Sequence, residues 1–188
     1  MTSQPPPDPP TIRFATEEDV PTILSLVHEL AAYEHASSSV VATEATLLAT
    51  LTFPSNPSSG YAKTLLIYPP SPSPTTTTPP NPAQPCAGFA LYFPSYSTWR
   101  AAPGLYLEDL FVRPAYRGRG YGTALLKRLA QETTKIGGQR LEWSVLKWNE
   151  PSIKFYEGVG AKMKNEWVGM RVEGEEVRRM AEDGIHIK

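Results

Sequence analysis

A single cysteine, Cys86, has no partner for a disulfide inside the chain. Together with three scattered histidines, His28, His35 and His186, it offers no metal-ligand spacing. Neither a disulfide framework nor a metal site is expected. No apolar run approaches the length that crosses a bilayer, and the opening residues, MTSQPPPDPP, have neither the basic start nor the apolar core of a signal peptide. These absences predict a soluble, cytoplasmic protein with no membrane partner. Net charge is also missing: the formal value of -1 argues against nonspecific nucleic-acid binding. The small sum conceals an asymmetry. Up to residue 112, three Lys/Arg against nine Asp/Glu give -6, and from residue 113 onward fifteen against ten give +5. Solvated helix faces account for much of this; the sharper reading is a polyanion on the later half and a cation near carboxylates of the earlier half.

What is present suits one domain. With 188 residues, 40% of them hydrophobic, the chain can bury the core of a single α/β domain over residues 11–188. Residues 1–10 hold five prolines and predict a disordered tail. TIRFA reads as a short strand. Thr16 ahead of Glu17, Glu18 and Asp19 reads as the capped start of a helix. Ile23, Leu24, Leu26, Val27, Leu30 and Ala31 continue it at helical spacing, and it delivers Tyr33 and Glu34 at its end. Thr43 opens a second short helix. YAKTLLIY and AGFALYF read as strands around PPSPSPTTTTPPNPAQP, a tract that builds neither sheet nor helix interior. It predicts a long mobile hairpin loop at about 69–86, with Cys86 at its edge. Then come a strand, LYLEDLFV, a helix through Leu125, Leu126 and Leu129 ended by Gly137 and Gly138, and a strand, RLEWSVLK. A short helix, SIKFYEGV, follows Pro151; NEWVGMRV reads as a last strand and EEVRRMAE as a terminal helix. The order β-α-α-β-β-β-α-β-α-β predicts a mixed sheet with helices on its faces, not a doubly wound one.

YRGRGYG, residues 116–122, stands where LYLEDLFV gives way to a helix. The Rossmann pattern begun at Gly118 would need glycine where the chain has Thr123, and no Gly-Lys-Ser/Thr follows for a P-loop. A glycine turn opening a helix still points several backbone N–H groups outward at the positive end of the dipole. Gly118, Gly120 and Gly122 let the backbone come close and take positive φ, while Arg117 and Arg119 add charge-assisted contacts that suit a pyrophosphate. A tight turn with incidental arginines fits the glycines equally well, so the surrounding residues decide.

Arg117-x-x-Gly120-x-Gly122, behind its strand and ahead of its helix, resembles the Q/R-x-x-G-x-G/A signature of the GNAT (GCN5-related N-acetyltransferase) superfamily. The likeness runs from about Thr11 onward. LYLEDLFVRPAYRGRGYG, WNEPSIKFYEGVGA and LAAYE are similar to the diamine acetyltransferase branch, the spermidine/spermine and thialysine enzymes. The resemblance implies an α/β (α+β) fold in which two central parallel strands, here LYLEDLFV and RLEWSVLK, splay apart around acetyl-CoA as cosubstrate, with helices on both sheet faces. It lays the pantetheine arm along the backbone of Leu110, Phe111 and Val112 and at Asn149. The pyrophosphate then rests on the turn formed by Arg117, Gly118, Arg119, Gly120, Tyr121 and Gly122. It gives Glu108 the proton of the amine, Tyr156 the protonation of the leaving thiolate, and the Leu110 N–H the oxyanion. By residue type alone, Asn149 is also an ordinary turn residue and Glu108 an ordinary exposed strand residue.

The chemistry sets requirements of its own. An alkyl amine with a pKa of about 10 needs help losing its proton before it attacks a thioester at neutral pH. A phenol such as Tyr156 donates to a departing thiolate without first being charged. Glu34, Glu108 and Asp109 suit a second ammonium on a small-molecule amine, with Tyr33 and Trp99 as pocket walls adding cation–π attraction. Polyamine-specific members of the branch tend to carry further acids soon after the YE, where this chain reads YEHASSSVV. Thialysine, lysine or another amino acid therefore stays open beside the polyamines. Cys86 has no basic partner near it in sequence and is not expected as a nucleophile, which implies direct transfer in a ternary complex. Two other functions remain open: acetylation of protein lysines or N-termini, and a noncatalytic acyl-CoA sensor. The superfamily's habit implies a homodimer to which the C-terminal strand and helix contribute.

Overall fold

A computed structural model describes residues 9–70 and 85–182, and the chain divides into two compact units, Met1–Leu146 and Lys147–Lys188. The expected disordered tail up to residue 8 and the Pro/Thr tract at 71–84 lie outside the described residues.

The first unit is organised by a six-stranded sheet: β1 (Thr11–Phe14), β2 (Leu51–Thr52), β3 (Ala62–Tyr68), β4 (Gly88–Ser97), β5 (Ala102–Val112) and β6 (Leu141–Trp143). The order is β1-β3-β4-β5-β6, antiparallel as far as β5 and parallel between β5 and β6, with β2 parallel to one end of β3. Three helices complete the unit: α1 (Val20–Tyr33), α2 (Glu44–Thr50) and α3 (Tyr121–Lys135). The near-continuous apolar runs of β3 and β4 are buried because the sheet is covered on both sides. Leu66, Tyr68, Phe89, Leu91 and Phe111 pack against Ile23 and Leu26 of α1 in one core. Residues between them point the other way, toward the side where α3 packs on β3 to β6 and buries Leu125 and Leu129.

Local chemistry fixes where α1 begins. The Asp19 carboxylate accepts from the Thr16 N–H at 2.7 Å and from the Thr16 hydroxyl at 3.0 Å. It also takes a forked pair from Arg13 at 2.6 and 2.8 Å, and Arg13 donates onward to the Tyr68 hydroxyl at 2.8 Å. The β3–β4 hairpin closes at Ile67 opposite Gly88. Cys86, two residues before β4, lies buried in the core, and its thiol donates to the Gly88 carbonyl at 3.2 Å. Burial pushes that thiol's pKa up.

The second unit contains α4 (Glu150–Gly158) and α5 (Glu175–Glu182). Asn149 caps α4, its side-chain oxygen accepting from the Ser152 N–H at 3.3 Å, and Pro151 sits in the first turn. The strand expected at NEWVGMRV is not formed: residues 165–172 are irregular, with Trp167, Val168, Met170 and Val172 exposed. Strand-type composition does not make a strand by itself, because a strand exists only through backbone bonds to a partner. For the same reason RLEWSVLK shrinks to the three residues of β6.

Candidate active site

The site is laid out by β5 and by where its neighbours leave it. Parallel pairing with β6 runs only from Leu105 opposite Leu141 to Leu107 opposite Trp143. Beyond Leu107 the two strands diverge and that edge of β5 has no strand partner among the described residues. On its other side β5 stays paired with β4, but the register jumps: Leu107 faces Tyr92 and Asp109 faces Leu91, so Glu108 is an extra residue in a bulge.

The bulge decides which backbone groups face the open edge. Leu105 donates to the Arg140 carbonyl on the β6 side at 2.9 Å, whereas Arg113 donates to the Ala87 carbonyl on the β4 side at 2.9 Å. Eight residues apart, both would face the same neighbour in a regular strand. After the bulge, odd-numbered residues bond toward β4, so Leu110 and Val112 present their backbone groups to the diverged edge. Phe111 does not: its carbonyl oxygen lies against Gly88 of β4, 2.3 Å from where a Cβ would stand. Phe111 therefore leaves the set of backbone partners expected for an extended ligand, while its ring joins the α1 core.

Past Val112 the chain reaches the glycine turn. Gly118 and Gly120 hold left-handed φ of 73° and 78°, and nothing lies within 4 Å of where a Cβ would stand at either. Gly122 differs from expectation, since it is the second residue of α3 and takes no positive φ. The first bond closing the helix runs from the Ala124 N–H to the Gly120 carbonyl at 2.9 Å. Among the described residues, the backbone N–H groups of residues 118 to 123 have no protein acceptor. A row of unpaired donors with open space before it, at the positive end of a fifteen-residue helix, fits a pyrophosphate. Tyr121 is buried and stacks on Tyr116, so only its backbone faces the cradle. Arg119 lies over Tyr116 at 5.7 Å. Arg117, itself exposed, folds back on the protein surface, donating through Nε to the Val112 carbonyl at 2.9 Å with its guanidinium over Tyr33.

Beside the diverged edge the structure gathers three of the expected acids. Asp109 is half-buried and its pKa is pushed up to about 6, by burial first and then by the negative charges of Glu108 and Glu34. Burial also raises the Glu34 carboxyl. Glu34 follows the last residue of α1, and Glu108 is exposed in the bulge. Trp99 is not part of this group. It sits 87% exposed in the β4–β5 turn. Ala102, where the turn ends, and Asp109 are seven steps apart along β5, roughly 20 Å at the usual rise per residue.

Asn149 and Tyr156 belong to the second unit. Asn149 is buried at the α4 cap, and Tyr156 is half-buried on the same helix, its ring tilted against Phe155 with centroids 5.2 Å apart. One contact had escaped notice in the sequence. Arg113 forms a forked pair with Glu29 of α1 at 2.6 to 3.0 Å and donates to the Cys86 carbonyl at 2.8 Å. The available signal was the acid Glu29 in a largely apolar helix, one turn before Tyr33. No group of metal-ligating side chains occurs among the described residues, and no described helix is long and apolar enough to cross a membrane.

Comparison with known proteins follows the same lines. Residues 80–161 match the model of the acetyltransferase (GNAT) family. L-ornithine N5-acetyltransferase of Arabidopsis thaliana is 37% identical over 193 residues, covering 87% of this chain and 84% of the relative. Thialysine N-epsilon-acetyltransferase of Bos taurus is 36% identical over 174 residues, covering 90% and 96%. Among solved structures, an integron cassette protein from the mobile metagenome of V. cholerae superposes with a TM-score of 0.69 at 24% identity, covering 92% of this chain and 98% of that one, a likeness of fold.

Proposed function

The chain belongs to the acetyltransferase (GNAT) family, and from that premise we propose that it moves an acetyl group from acetyl-CoA to a primary amine of a small diamino acceptor, both substrates being bound together. The observation that carries the acceptor class is the meeting of Glu34, Glu108 and Asp109 beside the open edge of β5. The negative charges of Glu108 and Glu34 add to burial in raising the protonation of Asp109, and a bound cation relieves that repulsion. L-ornithine and thialysine, for which the relatives are named, both carry two amino groups.

Acetyl-CoA supplies an activated thioester: the C–N bond forms as the C–S bond breaks, and a thiolate leaves. The chain's part is positional and electrostatic. The unpaired N–H groups of residues 118 to 123 hold the pyrophosphate, assisted by Arg119, and the backbone of Leu110 and the N–H of Val112 pair with the pantetheine amides as an added strand would. The Leu110 N–H, aimed at the open edge, stabilises the oxyanion. Glu108 takes the proton released by the amine through water, while Asp109 and Glu34 hold the second ammonium. Tyr156 as the proton donor to the thiolate, and Asn149 as a partner of the pantetheine arm, rest on the family resemblance alone.

Thiol release from acetyl-CoA, measured with L-ornithine, thialysine, lysine, spermidine, putrescine and a lysine peptide, tests this. Turnover should favour a diamino acid. Turnover on the peptide alone would sink the small-molecule reading, and coenzyme binding without turnover on any amine would leave a sensor.

A homodimer built through the second unit is proposed as well. The strand-type run holding Trp167, Val168, Met170 and Val172 is exposed, Met170 at 91%, and forms no strand among the described residues. Sedimentation of the purified protein should give twice the chain mass; a monomer would remove the proposal.

A further inference from the structure

Arg117 was the residue expected to meet a phosphate, yet its side chain, though exposed, is engaged by protein groups. Its Nε donates to the Val112 carbonyl at 2.9 Å, and its guanidinium lies over two rings, 4.8 Å from the centroid of Tyr33 and 5.6 Å from that of Phe111. These partners come from different parts of the site. Phe111 and Val112 end the strand that carries Asp109 and the open backbone edge. Tyr33 is the last residue of α1, adjacent to Glu34. Arg117 itself leads into Gly118 and Gly120, the left-handed pair of the cradle. One planar cation therefore touches the strand, the coenzyme turn and the helix end that presents an acceptor-site acid.

A second contact holds the same helix one turn earlier. Glu29 and Tyr33 are four residues apart, hence on one face of α1, and Glu29 takes the forked pair from Arg113. The ion pair seats the helix against the end of β5. Tyr33 then packs beside the core with its ring under the Arg117 guanidinium, and Glu34 follows it, its N–H donating to the Leu30 carbonyl at 2.9 Å.

We propose that Arg117 is a positioning residue that couples the two substrate sites, holding Tyr33 and so Glu34 in place for the amine when the turn is set for the coenzyme. This rests on the acetyltransferase reading above. Such coupling is reciprocal: coenzyme at the turn tightens amine binding by the same factor as the amine tightens coenzyme binding. Lysine in place of Arg117 keeps the positive charge near the turn but loses the flat face and the Nε donor, so Arg117→Lys separates coupling from simple attraction for phosphate.

The test uses calorimetry with coenzyme A, which forms a dead-end complex, in the absence and presence of thialysine, or of L-ornithine where that amine turns over faster. In the wild type the amine should lower the Kd for coenzyme A about five-fold or more. In Arg117→Lys that ratio should fall to near one and the KM for the amine should rise, while the Kd for coenzyme A alone moves only about two-fold. Tyr33→Leu should do the same, the double variant should be no worse than either single one, and Tyr33→Phe, which keeps the ring, should retain the ratio. The proposal is overturned if Arg117→Lys weakens coenzyme A alone and leaves the ratio intact, or if the Arg117 and Tyr33 effects multiply independently. Thermal unfolding of each variant identifies any that fail to fold; if Tyr33→Leu is one, the contrast between Arg117→Lys and Tyr33→Phe carries the decision. A wild type that acetylates no amine removes the functional reading and this coupling together, whereas turnover without any effect of the amine on coenzyme binding removes the coupling alone.

Discussion

At Asp109, burial and like charge act in the same direction and bring the carboxyl to about 6. An acid whose pKa is raised by folding stabilises the folded chain while it is protonated. That contribution is complete below the unfolded pKa of about 4 and is lost as the pH rises through about 6. Asp109→Asn cannot ionise, so its unfolding temperature should exceed that of the wild type at about pH 8, and the gap should close by about pH 4. A gap independent of pH would mean the strain lies elsewhere. Ionisation acts the other way on catalysis, because the acceptor's ammonium needs the carboxylate. For the wild type, kcat/KM for a diamino acid should climb between about pH 5 and 7, and in Asp109→Asn that limb should flatten while the KM rises about tenfold. The acids of this site were legible in the sequence because Glu-Asp interrupts an apolar strand. The effect of the other two on Asp109 was not, since it depends on a bulge that only the register with β4 reveals.

At the scale of elements, YRGRGYG announced a turn between strand and helix, and the structure assigns its glycines unequal tasks. Gly120 is the left-handed residue ahead of α3, with open space where a Cβ would stand, so alanine there suffers from backbone strain alone, about 1 kcal/mol. Gly122 lies inside the helix, where alanine gains up to about 1 kcal/mol. Denaturant unfolding should therefore show Gly120→Ala less stable than the wild type and Gly122→Ala equal or more stable. Equal losses at both positions would mean that the turn extends a residue further than described. The glycines could be counted in the sequence, but their φ could not, because the helix begins one residue earlier than the third glycine suggests. Strands were harder to read in proportion to how much they depend on partners. β3 and β4 carry long apolar runs and are legible; RLEWSVLK and NEWVGMRV have the composition of strands, yet one pairs over three residues and the other not at all among the described residues.

Over the whole chain, the division of charge is reproduced locally: Glu34, Glu108 and Asp109 precede residue 112, and Arg113, Arg117 and Arg119 follow it within a few residues. Acceptor and coenzyme requirements of opposite sign thus meet at the end of one strand, which is why motif and charge pattern converged on the same stretch. The Pro/Thr tract stands apart from that scheme. Nineteen residues, 69 to 87, connect Tyr68 to Gly88, and the hairpin they join is already closed at its base by Ile67 opposite Gly88 and by the Ala87 N–H donating to the Ile67 carbonyl at 2.8 Å. The last three connecting residues include Cys86 and Ala87, which are buried and must stay. Replacing residues 71–84 by Asn-Gly shortens the connection to about seven residues and lowers the entropy cost of closing it by roughly 1 kcal/mol. Unfolding should remain cooperative, with Tm higher by about 2–4 °C and the KM for acetyl-CoA unchanged. A lower Tm or a broadened transition would show that residues 71–84 contribute structure to the sheet that the hairpin base alone does not supply.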